Sequence, residues 1–147
     1  MKANPLIEIN FIDMLFDMNK EISDSFAKDH IQRWINAWNN KDLETVLSMF
    51  TEDIEFSSPK IKVITSEFNS EKVNNKQDLK HYWSTAKEKI TSLHFTPKEY
   101  YIKGNTCVLE YIATFDGKSK FLSIEKSEFN ENNKIYKASA YYGPQLE

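Results

Sequence analysis

One acid in this chain stands where it could carry protons. Residues 121–129 read FLSIEKSEF. Alternation along a strand puts Phe121, Ser123, Glu125, Ser127 and Phe129 on one side and Leu122 and Ile124 on the other. If the first side faces a cavity, desolvation raises the Glu125 carboxyl and makes it an acid or base near neutrality. The reverse facing, with Leu122 and Ile124 inward and Glu125 in solvent, fits the same pattern, because a one-residue slip reverses every side chain. Trp34 and Trp38, one helical turn apart, offer a wide apolar surface with one N–H donor each. They suit a flat ring or acyl chain, or equally core packing. Phe56, Tyr82 and Phe121 complete such a lining, and Trp83 serves as lining or as core.

Other chemistries lack support. The three histidines are scattered: His94 shares a polar parity with Ser92 and Thr96, and His81 and His30 read as solvated. No His-x-His or paired-carboxylate spacing builds a metal site. With three glycines there is no phosphate loop, so neither metal nor cofactor is expected. The net charge of −3, with Arg33 as the only arginine, gives no footprint for nucleic acid. Cys107 is the single cysteine, set in an apolar run, and reads as a buried thiol in a reducing compartment. No stretch approaches the ~20 apolar residues of a membrane span. The apolar first residues are interrupted by Glu8 and Asp13 and do not read as a signal peptide. The expectation is a cytoplasmic protein.

The elements that position these residues are legible in outline. The chain has 147 residues, enough for one domain that buries roughly 68–70% of its unfolded surface. Residues 1–22 form a leader of mixed periodicity that needs a partner surface, and residues 23–147 form the domain. Ser23, Asp24 and Ser25 offer N-caps for a helix to about Asn39, with Ala27, Ile31, Trp34, Ile35 and Trp38 inward. A second helix is expected over 42–50. A short strand through Ile54, Phe56 and Ser58 then ends at Pro59. In 60–74, Ile61, Val63 and Ile64 make a small strand or a loop. Asn75 with Asp78 opens a third helix to about Ile90. Strands over 93–103, 106–115, 119–129 and 134–142 follow. They are divided by Gly104-Asn105, Asp116-Gly117 and 130–133, with Asp116-Gly117 the strongest hairpin signal. Helices first and an antiparallel meander second mean an α+β fold, with N-terminal helices on one face of a curved sheet.

Residues 31–59, IQRWINAWNNKDLETVLSMFTEDIEFSSP, together with that element order over roughly 25–143, resemble the nuclear transport factor 2-like superfamily. That superfamily has a cystatin-like α+β cone and includes ketosteroid isomerases and SnoaL-like cyclases. The resemblance implies one pocket inside the cone. It also places Trp34 on the pocket wall, Ser58 at the end of the first strand and Tyr142 near the end of the last, each able to hydrogen-bond a ligand. The ketosteroid isomerase device is incomplete. Ser58 stands where the basic aspartate would be and Trp34 where the helix tyrosine would be; only Glu125 matches, at the strand acid. The SnoaL-like group, with varied pocket acids, is the better match. The expected function is binding of a small apolar or aromatic molecule. Acid–base isomerisation, cyclisation or dehydration through Glu125 is the alternative, and a protein-interaction module using the leader is a third. Leu122, Ile124 and Tyr141 on the convex face suggest a homodimer formed through the sheet.

Overall fold

The computed structural model describes residues 20–147. Helix α1 (Asp24–Asn39) begins where Ser23 Oγ accepts the Phe26 N–H at 3.0 Å. Helix α2 (Leu43–Ser48) begins where Asp42 accepts the Thr45 N–H. These caps satisfy donors that a helix start leaves unpaired. Ala27, Ile31, Trp34 and Ile35 face inward on α1 as the spacing predicts. Phe50 does not end α2 but opens strand β1 (Phe50–Ser57). It is buried and pairs with Ile135, whose N–H reaches the Met49 carbonyl at 2.8 Å.

The chain beyond Pro59 is helical rather than extended. Ile61–Ile64 form one turn, α3, followed by a 3-10 turn at Ser66–Phe68 and the two-residue strand β2 (Lys72–Val73). Ile61 is buried, Ile64 half-buried and Val63 exposed, a spacing of three that suits a turn of helix and not a strand. Helix α4 (Lys76–Lys89) starts at Asn75, whose Oδ1 accepts the Asp78 N–H at 2.7 Å.

Strands β3 (Leu93–Lys103), β4 (Thr106–Phe115), β5 (Ser119–Phe129) and β6 (Ile135–Leu146) form the expected antiparallel meander. The β4–β5 hairpin turns at Asp116 and Gly117, with φ of 55° and 70°. The Lys118 N–H donates to the Phe115 carbonyl at 3.1 Å, closing a turn of the primed kind, which requires positive φ at both central residues. The sheet order is β2-β1-β6-β5-β4-β3, and the β1–β6 pair is parallel, so the sheet is mixed. The expected meander is intact, and one parallel strand is added at its C-terminal side. Across the sheet, Tyr111, Ser123 and Tyr142 form one row, and Leu109, Glu125 and Ala140 the next.

Helices α1 and α4 cover the concave face of this curved sheet. Asn39, at the end of α1, acts as a one-residue strand against β3. Its Oδ1 accepts the Phe95 N–H at 2.7 Å and its Nδ2 donates to the Phe95 carbonyl at 3.0 Å. Of residues 1–22, only 20–22 lie within the described part. There Ile22 is buried and donates its N–H to the Gly104 carbonyl at 2.9 Å. The apolar residues 7–16 of the leader lie outside the described residues. Among the described residues, no helix is long and apolar enough to cross a membrane.

His30 departs from its expected solvated position. It is buried between Phe26 and Phe129, its ring 4.9 Å from that of Phe129 and edge-on to it. Ala27, His30, Ile31 and Trp34 share one helix face at i, i+3, i+4 and i+7, so the position is inward whatever residue fills it. Burial pushes its pKa down to about 4, with the Arg33 charge adding to the effect. The unfolded chain therefore binds this proton more readily than the folded one. Stability from this group is complete above about pH 6.5 and falls as pH drops toward 4. Replacing His30→Leu removes that dependence. Between about pH 7 and pH 5, the variant should gain about 2 kcal/mol relative to the parent, measured by urea denaturation of both at each pH.

Candidate functional site

The concave face and the helices over it enclose a cavity of about 420 Å³. Trp34 and Trp38 reach it from α1, Tyr82 and Trp83 from α4, Phe56 from β1 and Phe95 from β3. The floor is the inward parity of the meander: Tyr111 on β4, Phe121 and Glu125 on β5, and Ala140 and Tyr142 on β6.

Aromatic contacts hold the walls in place. The Trp34 ring stacks on Phe95 at 5.4 Å and meets Tyr111 edge-on at 5.3 Å. Trp38 meets Trp83 edge-on at 5.0 Å, and Trp83 in turn contacts Phe50 and Phe56, each at 5.4 Å. Such pairs contribute about 0.5–1.5 kcal/mol each beyond the area they bury. The chain of rings runs from α1 through α4 to β1, so three separate elements share one wall. The indole N–H groups of Trp34 and Trp38 are buried without a hydrogen-bond partner among the described residues.

The cavity lining around Glu125 is polar. Glu125 is 6% exposed, and its Oε1 has no partner among the described residues. Desolvation holds its carboxyl well above the usual carboxylate range. Three phenols surround it electrostatically. Burial pushes Tyr82 up to about 12 and raises Tyr111 and Tyr142 further, with Glu125 adding to the shift of each. Each phenol keeps its proton at neutral pH and is a donor. Glu125 and Trp34 also border a separate void of about 10 Å³, beside His30 and Cys107. Cys107 is buried, its thiol pushed up to about 11 by desolvation, which makes it a poor nucleophile.

Seven of the eight residues singled out from the sequence border the cavity: Trp34, Trp38, Phe56, Tyr82, Phe121, Glu125 and Tyr142. Ser58 lies behind the wall. It is 1% exposed, its hydroxyl sits 3.3 Å from the Tyr82 hydroxyl, and it accepts the Lys60 N–H at 3.2 Å. Ser58 thus holds Tyr82 and does not face the cavity. His94 and His81 are exposed, the latter paired with Glu67 at 2.5 Å.

Sequence reasoning missed Phe95, Tyr111 and Lys60. The β4 alternation of Cys107, Leu109, Tyr111 and Ala113 carried the signal for Tyr111. Nothing local marked Lys60, whose ammonium lies over Tyr142, Phe115 and Phe121 at 4.0, 5.0 and 5.3 Å from the ring centres.

Comparison with known proteins supplies the family. Residues 31–133 match the model of the SnoaL-like domain. A SnoaL-like protein of unknown function from Burkholderia thailandensis is similar in structure, with a TM-score of 0.76. It is 30% identical, and the match covers 85% of this chain and 100% of that one. A proposed ketosteroid isomerase from Kribbella flavida has a TM-score of 0.63 at 11% identity, covering 84% of this chain and 82% of that one. IdmH, a proposed polyketide cyclase from Streptomyces antibioticus, has a TM-score of 0.65 at 15% identity, covering 79% and 91%. At those identities the last two show the fold alone. No curated protein matches the chain. With its matched domain and its cone of helices on a curved sheet, this chain belongs to the SnoaL-like group of the nuclear transport factor 2-like superfamily.

Proposed function

We propose that the cone binds a small, largely apolar molecule between its aromatic walls. One observation carries this: a cavity of about 420 Å³, walled by rings from helices and strands alike, which the chain's own side chains leave open. That volume falls within the usual range for small-molecule sites, which are mostly apolar with a few convergent polar groups. Here the polar groups are the two indole N–H donors, the phenols and Glu125. A buried donor without a partner costs about 1–3 kcal/mol, a cost that a ligand carbonyl or hydroxyl would offset. Ala86, half-buried on α4, lines the same space. Tryptophan fluorescence titration with sterols, polyketides and aromatic acids should give at least one dissociation constant below about 1 mM. Ala86→Trp should weaken that binding by about tenfold or more. If every titration is flat, the proposal fails.

A second reading, favoured by the unpartnered buried oxygen of Glu125, is acid–base catalysis of isomerisation, cyclisation or dehydration. Solved structures of similar fold described as a ketosteroid isomerase and a polyketide cyclase keep that chemistry in view. A carboxyl held neutral at pH 7 can donate a proton or a hydrogen bond to a developing oxyanion. Its raised folded-state pKa has a signature in stability. The protonated form is favoured by folding, so stability from this group is present below the unfolded value near 4.5 and is lost as pH rises toward the folded value. Glu125→Gln removes that pH dependence. Its melting temperature relative to the parent should therefore climb from about pH 5 to pH 8, and a flat difference would mean that Glu125 is solvated. With a substrate in hand, full turnover by the same variant would exclude the catalytic role.

The outer face of the sheet is the proposed homodimer surface. Ile124 pairs with Tyr141, and Ile112 with Leu122, so four apolar residues lie in two adjacent rows. Tyr141 is 53% exposed and Leu122 36%. Light scattering should give twice the chain mass of 17.3 kDa for the parent and the single mass for Tyr141→Lys. A parent that is monomeric at about 100 μM would refute the dimer.

A further inference from the structure

Charge at the cavity is distributed in a way that the apolar walls do not require. Among the described residues, four lysines border it (Lys41, Lys60, Lys87 and Lys89) and one acid, the buried Glu125. The chain as a whole carries a net charge of −3, so the lining's excess of lysine runs against the overall balance. No carboxylate lies within ion-pair distance of any of the four among the described residues; the seven ion pairs there use other cations. Asp42, Glu67 and Asp116 act on Lys87, Lys89 and Lys41 only through longer-range attraction.

Three of these ammonium groups are braced by backbone carbonyls. Lys41 Nζ donates to Thr91 O at 2.8 Å, Lys87 Nζ to Lys41 O at 3.2 Å, and Lys89 Nζ to Ile64 O at 3.0 Å. A carbonyl steadies a cation without neutralising it, and each ammonium has further protons to give. Lys60 differs. It is half-buried and held over three rings from β4, β5 and β6. Ring faces attract a cation but supply no counter-charge. Glu125 forms no ion pair with any of the four, so the acid in the lining does not neutralise them by contact.

We propose that the natural ligand is an anion: an apolar or aromatic body seated between the tryptophans, ending in a carboxylate or comparable negative group that Lys60 binds, with Lys41, Lys87 and Lys89 adding positive charge elsewhere along the lining. This rests on the binding reading above and adds the ligand's charge and orientation. The body enters first and the anionic end stays toward Lys60. Neutral sterols and hydrocarbons then fit the walls but leave Lys60 without its partner.

A matched pair of fluorescent probes tests this. N-phenyl-1-naphthylamine is neutral, and 1-anilinonaphthalene-8-sulfonate is the same body carrying one negative charge. The sulfonate should bind the parent about tenfold more tightly than the neutral amine, the scale of one charge-assisted contact. Lys60→Met, which keeps an apolar stem, should erase that advantage, and Lys60→Arg should retain most of it. Dodecanoate should displace either probe at lower concentration than dodecanol. The parent alone supplies a readout that survives even if a variant misfolds: raising sodium chloride should weaken the sulfonate and leave the neutral probe unmoved. Equal affinity for the two probes, or equal losses for both in Lys60→Met, would overturn the anionic assignment while leaving the binding reading intact. If neither probe nor dodecanoate binds, both fall together.

Discussion

A carboxyl buried in the middle of a strand constrains everything around it. Glu125 occupies the inward parity of β5 and has no ion-pair partner among the described residues. An ionised carboxylate there would face a desolvation penalty of several kcal/mol, so the folded protein holds it as an acid. The same parity sets Ser123 beside Tyr111 and Tyr142 and sends Leu122 and Ile124 to the outside. Had β5 paired one residue out of step, the acid would be in solvent and the cavity would be lined by leucine and isoleucine. The two hairpins that flank β5 fix that step, one through the primed turn at Asp116-Gly117 and the other through the 130–133 loop. The site's chemistry therefore depends on turn residues that never touch it.

Around that acid the lining mixes rings and cations. Phenols and indoles, all donors, make up much of the lining, and lysines border it as well, with Lys60 over the Tyr142 ring itself. The mixture arises from elements far apart in sequence: α1 and α4 give the tryptophans, β1 ends in the turn that carries Lys60, and the meander gives the floor. Ser58 has a part in this without facing the cavity. Its hydroxyl bonds Tyr82 on one side and the Lys60 backbone on the other, so one small side chain ties a wall residue to the cation. A residue expected from the sequence to contact a ligand lies, in the structure, between two residues that border the cavity.

What the sequence disclosed follows from how local each signal is. The four meander strands, their turns and the capped helices were legible because alternation, helical spacing and caps are short-range features. The helix–helix–strand opening, through the resemblance it carries, added the cone. The facing of Glu125 was not decidable from its own strand, since both registers satisfy the pattern. It follows from pairings with β4 and β6, which lie outside any local window. The parallel β1–β6 pair was invisible for the same reason, as it joins segments some eighty residues apart. Lys60 could not be found because what distinguishes it, three rings from three strands beneath its ammonium, exists only after folding. His30 was legible in principle: its place at i+3 from Ala27 and i−4 from Trp34 outweighed its polarity.

The clamp between Asn39 and Phe95 has a consequence for the company the molecule keeps. A long strand at the margin of a sheet offers unpaired backbone groups to any neighbouring chain. At β3 the Asn39 amide occupies one such pair of groups. Pro97 removes another donor, and the extra residue between Pro97 and Tyr100 breaks the spacing that an invading strand would need. At the opposite margin β2 is only two residues long. Each margin thus offers an invading strand an interrupted template: β3 through its clamp, proline and bulge, and the far side through a strand that pairs only with Phe56 and Ser57 of β1.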